Sequence, residues 1–271
     1  MTGLHIISRG YNRHWSIAKE LYIPVPPIEV QREVVRILDS FQELDDALTA
    51  EIEARERQLE GLRQELTANS HFDDDCLMPL SEAATFSGGH TPSKAVTENY
   101  AEGQSGISWV TSKDVKVERL GVSQITLTQK GAEELRLYPA GTTVMVTRSG
   151  ILRHYLPIAS LTVESTVNQD IRCICAKEGV LDDYLFEVLK ARADYMLRTF
   201  FNLGGTVDSI DFNRVKTMVV PIPSMEAQTC IVYALNPLEQ LLVSLIAERD
   251  ARRKQFEHYR DKLLSFLEKE A

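Results

Sequence analysis

Histidines are the side chains most often used for acid–base and metal chemistry, and the six in this chain are scattered along it. They are His5, His14, His71, His90, His154 and His258. The chain has no HxxxH or HExxH metal spacing, no Gly-x-Ser-x-Gly elbow, no Walker loop and no GxGxxG turn. Asn168-Gln169-Asp170 also lacks the Asn/Asp-Pro-Pro-Tyr/Phe pattern of a methyltransferase. The sequence therefore predicts no catalytic residues.

The four cysteines, Cys76, Cys173, Cys175 and Cys230, make neither a CxxC pair nor a disulfide-dense pattern, which predicts a reduced, cytoplasmic protein. Cys173-Ile174-Cys175 alternates as a strand does and has no histidine nearby, so we expect no metal site. No run approaches 18 apolar residues and no secretory signal opens the chain, so we expect neither a membrane span nor export.

The net charge of −9 argues against a protein that coats nucleic acid without sequence preference. It leaves room for a local basic face. Between Lys113 and Arg153 there are seven basic residues and only four acidic ones. That stretch is therefore the first place to look for contacts to an anionic partner.

One long stretch of the chain occurs twice, without a gap, at an offset of 197 residues. Ile23-Pro24-Val25-Pro26 returns as Val220-Pro221-Ile222-Pro223, and the match continues along the following helical pattern. Identical pairs include Gln31/Gln228, Arg55/Arg252 and Arg63/Arg260. An ungapped repeat of this length indicates one structural unit duplicated around an insert.

Each copy predicts an extended Pro-x-Pro segment followed by a long amphipathic helix, the first from about Val30 to Leu66. The predicted apolar seam of the first helix is Val34, Ile37, Phe41, Leu44, Leu48, Ile52, Leu59, Leu62 and Leu66. In the second it is Ile231, Ala234, Leu238, Leu241, Leu245, Phe256, Tyr259 and Leu263, interrupted by Arg249 and Arg252, and Pro237 predicts a kink or a late start. Two such helices can bury their seams against each other, and an insert between them requires antiparallel packing.

The insert changes to short β-type runs punctuated by Gly, Pro and Asn, such as Ile107–Val110, the turn and strand at 139–146 and the strand at 171–175. A helix is predicted over Tyr184–Arg198, capped by Asp182-Asp183. The fold class is thus α+β, with one domain of short sheet and helices plus two long antiparallel coiled-coil helices. The predicted boundaries are 1–22, 23–70 for the first helix, 71–217 for the α+β domain and 218–271 for the second helix.

Several short motifs occur in a fixed order along the chain: Pro27-Ile28-Glu29-Val30-Gln31-Arg32, Gly89-x-Thr91-Pro92, Ile107-x-Trp109-Val110 with Asp114, Tyr138-Pro139-x-Gly141-Thr142, Asn168-Gln169, Asp183-Tyr184-Leu185, Gly204-Gly205-Thr206 and Arg253-Lys254-Gln255-Phe256. With these motifs the chain resembles the specificity (S) subunits of type I restriction-modification systems over about nine-tenths of its length. The resemblance implies a target recognition domain at 71–217 and a helical central repeat on either side of it.

A full family member alternates two recognition domains with two repeats, whereas this chain has one recognition domain between two repeats. We therefore expect a half-length subunit that reads one half of a bipartite target, with 1–22 as the remnant of a preceding recognition domain. The resemblance implies a non-catalytic protein that binds double-stranded DNA and modification (HsdM-like) subunits, with restriction (HsdR-like) subunits as further candidates. S-adenosylmethionine, ATP and Mg would then lie on the partners, with no cofactor in this chain. A homodimer or pairing with a second S chain would supply the missing half.

The resemblance also implies loops whose polar side chains meet DNA. The candidates are Thr91, Ser93, Lys94, Thr111, Ser112, Lys113, Arg148, Ser149, Arg153, His154, Asn168 and Gln169.

Plainer interpretations stand beside these. Each Lys or Arg taken singly is more simply a solvated surface charge, Gln169 fits a turn equally well, and Trp109 fits a core position better than a base contact. Arg55 and Arg252 are expected to lay their stems on the seam with their heads on a carboxylate such as Asp45 or Glu248. Two other functions stay open: a coiled-coil scaffold or decoy that holds methyltransferase subunits without reading DNA, and a single-chain methyltransferase fragment, which the lack of a Gly-rich nucleotide loop disfavours.

Overall fold

The computed structural model describes residues 25–93, 96–103, 105–202 and 207–265. The predicted remnant at 1–22, Lys94 and Gly204-Gly205-Thr206 lie outside the described residues. The chain forms two compact units, one made of 1–52 with 245–271 and the other of 53–244. The helices and strands, in chain order, are α1 (Ile28–Leu66), β1 (Leu77–Pro79), α2 (Leu80–Ala83), β2 (Ala84–Gly88), β3 (Ile107–Val110), β4 (Arg119–Leu120), β5 (Thr126–Leu127), α3 (Gln129–Ala132), β6 (Thr143–Val146), β7 (Ile158–Leu161), β8 (Ser165–Val167), β9 (Ile171–Ala176), α4 (Asp182–Ala191), α5 (Ala193–Phe200), β10 (Phe201–Asn202), β11 (Ser209–Ile210), α6 (Phe212–Val215), β12 (Val219–Pro221) and α7 (Met225–Leu264).

The first unit contains the start of α1 and the end of α7. The Phe41 ring lies 5.9 Å from the rings of both Phe256 and Tyr259, and Asp45 accepts hydrogen bonds from Arg253 at 2.7 and 3.0 Å. The partner numbers fall as the α1 numbers rise, so the helices run in opposite directions here, as the repeat predicts.

Arg252 meets the expectation for the arginines at the seam. Arg252 bonds to Glu248 at 3.4 Å, as proposed, and to Gln255. Arg55 bonds to the amide oxygen of Gln58 at 2.8 Å, and the carboxylate of Asp45 is taken by Arg253, one residue beyond Arg252.

The predicted seam is wrong at several positions. Leu44, Ala234 and Leu241 are exposed, whereas Gln228, Leu235 and Leu242 are the buried residues of α7. These three are spaced seven residues apart, so the buried face follows a heptad repeat. The prediction placed the seam one residue too early, at Ala234 and Leu241. The reason is that α7 also packs on the α+β domain, where Ile231 and Val232 join the core.

Pro237 lies within one continuous helix, because α7 begins at Met225; the predicted late start is therefore wrong. The helix predicted over Tyr184–Arg198 is two helices that meet at Arg192, and its predicted Asp182-Asp183 cap is wrong as well. Leu181 occupies the cap position, and the Asp182 carboxylate accepts a bond from the Ala176 backbone N–H instead.

The second unit has two main sheets and two short strand pairs, β1-β12 and β10-β11. A five-stranded sheet has the order β2-β9-β6-β7-β4, and a three-stranded sheet has the order β5-β3-β8. Val144 and Val146 of β6 belong to a core with Val110 of β3 and Val167 of β8, whereas Met145 belongs to the core beneath α4 and α5. Alternate side chains of a strand point to opposite faces, so the larger sheet is sandwiched between the smaller sheet and the helices. The mixed α+β class is thus confirmed.

One helix, α7, contains an 18-residue window long and apolar enough to cross a membrane by composition, of which 11% is buried. A single helix of this kind is weak evidence for a membrane span. The sequence analysis predicted no membrane span.

Candidate nucleic-acid interface

Several strands of the second unit end at one edge, and the predicted contact residues follow them. β3 and β8 are parallel, with Val110 beside Val167, so their following residues, Thr111 and Asn168, leave the sheet together. β9 begins at this edge, pairing Arg172 with Gly88 at the end of β2 and Ile171 with Val146 at the end of β6. Loops distant in sequence are thereby gathered into one surface, here called the loop edge: 88–93, 111–114, 147–154 and 168–170.

The first loop is held against β8 by close backbone packing. His90 N donates to Val167 O at 3.0 Å, and the Trp109 indole donates to His90 O at 3.3 Å. A side chain at Gly89 would place its Cβ 1.9 Å from Val167 O, so glycine is required there. This packing brings the half-buried Thr91 hydroxyl into a hydrogen bond with the exposed Gln169 side chain. Thr91 and Gln169 therefore form one polar pair on the loop edge.

Thr111 is largely occupied by its own turn. Its backbone N–H and its hydroxyl both donate to Asp114 Oδ2, at 2.8 and 2.7 Å, and Asp114 Oδ1 accepts from Gln124 N at 3.0 Å. Ser112 is half-buried and Lys113 is exposed on the same turn. Thr111 thus shapes the loop that presents Lys113.

The loop after β6 contains two exposed arginines with different surroundings. The side chain of Arg153 is 71% exposed and bonds Asp208 at 2.7 Å, and this bond raises the pKa of the guanidinium above its ordinary value. Arg148 is exposed and lies opposite Ser209 in an isolated bridge. Ser149 uses its hydroxyl to accept from Ile151 N at the start of a short 3-10 helix, and His154 is exposed just after that helix.

The turn between β8 and β9 separates the two amide candidates. Asn168 is buried, and its side chain both donates to Asp170 Oδ2 at 3.1 Å and accepts from Asp170 N at 3.2 Å. Its amide therefore closes the turn. Gln169, one residue on, is exposed. Ser93 is exposed on the first loop, where its carbonyl accepts from the Asn99 side chain at 3.3 Å.

Arg172 is a basic residue beside the loop edge that the sequence reasoning missed. It is half-buried, and its guanidinium lies over Gly88, where a Cβ would come within 2.1 Å of Nη1. The signal in the sequence was its place at the start of the predicted strand at 171–175, directly after the Asn168-Gln169-Asp170 turn.

Trp109 is a core residue, as the sequence analysis predicts. It is 4% exposed, and its ring lies edge-on to Tyr100 at 6.1 Å. Among the described residues, no group of three or more His, Cys, Asp or Glu side chains could hold a metal ion.

Residues 77–252 match the family described as the type I restriction modification DNA specificity domain. The chain belongs to this family. It is 32% identical over 259 residues to the Escherichia coli type I restriction enzyme EcoR124I/EcoR124II specificity subunit, an alignment that covers 92% of this chain and 63% of that protein. The chain thus spans less than two-thirds of this curated relative.

Solved structures of the family have the same fold. The HsdS subunit of Thermoanaerobacter tengcongensis matches with a TM-score of 0.53 at 14% identity, over 89% of this chain and 60% of that one. The S subunit of a type I restriction-modification system from M. genitalium matches with a TM-score of 0.59 at 11% identity, over 89% and 62%. The specificity domain matched by sequence includes the whole loop edge.

Proposed function

We propose that this chain is a DNA sequence-specificity subunit of a type I restriction-modification complex. Residues 71–217 would read one half of a bipartite target, and α1 and α7 would carry the modification subunits. The observation that supports this most is the loop edge, because four loops bring polar and basic side chains to one surface of a specificity-family domain.

The loop edge suggests a division of labour between positioning and reading. Arg148 and Lys113 are exposed and suit phosphates, whereas the Gln169 amide and the Thr91 hydroxyl suit the edges of bases in the major groove. Asn168, Thr111 and Ser149 are engaged in turns and would act by shaping these loops. Ser93, Ser112 and His154 complete the described candidate set, and Lys94 stays a prediction.

The chemistry would belong to partners. S-adenosylmethionine would be bound by HsdM-like subunits, and ATP with Mg would be needed only where an HsdR-like subunit joins. The chain itself is proposed to be non-catalytic, cytoplasmic and without a cofactor of its own. Methyl transfer by the isolated chain would contradict this assignment.

A second recognition domain is proposed to bind the repeat positions equivalent to those that this chain's own domain contacts. Arg63 and Gln228 contact the α+β domain, at Glu187 and at Leu181 N respectively. Their repeat equivalents are Arg260 and Gln31. Arg260 is exposed, bonds Asp261 of its own helix and lines a hollow with Gln42 and Phe256, and Gln31 bonds Pro26 O as Gln228 bonds Pro223 O. The partner would be another copy of this chain or a different S chain.

The test of DNA reading uses the chain in complex with a cognate methyltransferase partner. We expect sequence-dependent binding whose affinity falls with salt, and each lost phosphate contact should reduce the slope of log K against log salt by about 1. Arg148→Glu and Lys113→Glu should each show this reduction. Arg153→Glu should show a smaller one, because Arg153 is already bonded to Asp208.

Two outcomes would redirect the assignment. A complex that binds methyltransferase but prefers no sequence would favour the scaffold or decoy. Sequence preference with an unchanged salt slope in all three variants would move the DNA-contacting surface away from the loop edge.

A further inference from the structure

Arg63 is the largest fully buried side chain in the second unit, and its surroundings are acidic. It is 1% exposed. Its Nε donates to Glu187 Oε2 at 2.5 Å, and its Nη2 donates to Glu118 Oε2 at 2.8 Å and to Glu239 Oε1 at 3.3 Å. With Arg119, these residues form what is here called the Arg63 cluster. A long charged side chain is almost never buried unless it is paired in this way.

The Arg63 cluster joins four segments of the chain. Arg63 comes from α1, Glu187 from α4 and Glu239 from α7. Arg119 begins β4, and Glu118 is the residue before it. Arg119 binds Glu187 at 3.4 Å and Glu239 at 3.0 Å, so the two arginines share two carboxylates. The cluster therefore connects both helical repeats to the recognition domain at one point.

An aromatic ring completes the geometry. The guanidinium of Arg119 lies 4.7 Å from the centre of the Phe186 ring, and that of Arg63 lies 5.9 Å from it. Phe186 is fully buried on α4. The planar guanidinium, its carboxylate partners and the ring together restrict orientation more tightly than an apolar contact would.

Such a cluster fixes the orientation of the packed elements without adding more stability than apolar residues would. Burying charges costs desolvation, and well-packed apolar residues of similar size are often as stabilising or more so. An apolar contact also tolerates small rotations, whereas a rotation of the recognition domain here would separate Arg63 from a carboxylate that is 1% exposed. The charges are thus best explained by the orientation that they fix.

We propose that Arg63 is a positioning residue for target readout. The Arg63 cluster holds the recognition domain in one orientation on the helical repeats, so that the bases it reads keep a fixed distance from the base modified by a subunit docked on those helices. This inference rests on the proposed function.

The test measures that distance in complexes with a methyltransferase partner, by sequencing methylated DNA. Wild type is expected to modify one position relative to the recognised bases. In the double variant Arg63→Met/Glu187→Met, apolar side chains replace the charges, and the melting temperature should stay near that of wild type. Modification at neighbouring positions should rise about tenfold, because charge-assisted hydrogen bonds of this strength no longer oppose rotation.

Arg57→Met is the matched control, because it is the same substitution on the same helix at a side chain that is 72% exposed and pairs only loosely, at 3.9 Å, with Glu53. It should leave both the melting temperature and the modified position unchanged. A second variant, Glu239→Gln, alters one contact of the cluster at a residue that keeps some exposure, and a smaller spread of positions is expected.

A folded double variant that modifies the single wild-type position would overturn the inference. If the double variant does not fold, Glu239→Gln decides, and an unchanged modification pattern in that variant overturns it too. Failure of the proposed function would look different, since wild type itself would then show no sequence-dependent modification.

Discussion

At the scale of single residues, Arg63 is the side chain whose loss should cost most. Arg63→Met leaves the buried carboxylate of Glu187 without its closest partner, and breaking a buried pair on one side costs about 3–5 kcal/mol. Urea unfolding of the chain should show a free energy of unfolding that is lower by that amount. Arg57→Met, at an exposed pair, should stay within about 0.5 kcal/mol of wild type. Equal effects of the two substitutions would show that the cluster stabilises nothing.

Glu187 also makes stability depend on pH. Burial raises the pKa of its carboxyl, Arg63 opposes that rise and Glu239 adds to it, so that the pKa lies above its ordinary value of 4.5. Between the ordinary value and the folded value, the folded chain therefore binds more protons than the unfolded chain. Its stabilising contribution is complete below the ordinary carboxyl pKa and is lost as pH rises through the folded value.

We therefore expect the free energy of unfolding to fall across this pH window more steeply in wild type than in Glu187→Gln, which cannot ionise. Other cluster carboxylates act differently: despite burial, Lys190 and Arg63 lower the pKa of Glu118. The wild-type minus variant difference isolates Glu187. A difference that is constant with pH would contradict the raised pKa.

The sequence predicts residue roles well where one residue type has one strong preference. The sequence predicts Trp109 to be a core residue, and the structure buries it. Arg63 could not be predicted, because its neighbours Glu118 and Glu187 come from distant segments and only the fold unites them. For the same reason Asn168 and Gln169 look alike in the sequence, although one closes a turn and the other is exposed.

At the scale of elements, the fit of the first loop against β8 should control DNA binding. Gly89→Ala would place a methyl group 1.9 Å from the backbone carbonyl of Val167, so the loop must move and the Thr91–Gln169 pair must separate. We expect at least about tenfold weaker sequence-specific binding, since one good base contact is worth ~1–3 kcal/mol. Gly150→Ala, on the same edge with nothing within 4 Å, is the control and should bind normally.

The long helices show what periodicity can and cannot supply. It predicts both helices and their antiparallel direction, but not the rotation of α7, because α7 packs on the α+β domain as well. Local sequence also misleads at Pro237, which suggests a boundary but lies inside α7. The repeat equivalent of Pro237 is Ser40, which shows that the unit does not require proline.

Pro237→Ala should therefore stabilise the chain. An internal proline removes a helical hydrogen bond and costs up to ~3 kcal/mol, so the substitution should raise the free energy of unfolding by about 1–3 kcal/mol. Ser40→Pro, the reciprocal change at an exposed position of α1, should lower it by a similar amount. If Pro237→Ala is neutral or destabilising, the proline has a role beyond local helix geometry.

At the scale of the whole molecule, the repeat creates two equivalent sets of contact residues, and one recognition domain uses only one set. Arg63 and Gln228 are engaged, whereas Arg260 bonds to its neighbour Asp261. If a second recognition domain binds the remaining set, Arg260→Glu should place like charges against its acidic cluster and lower the mass of the methyltransferase complex measured by light scattering. Arg198→Glu reverses an exposed charge outside both repeats and should leave that mass unchanged. If wild type and Arg260→Glu both give the mass of a complex with two recognition domains, pairing uses another surface. In that case a palindromic split target would still identify the partner as a second copy of this chain.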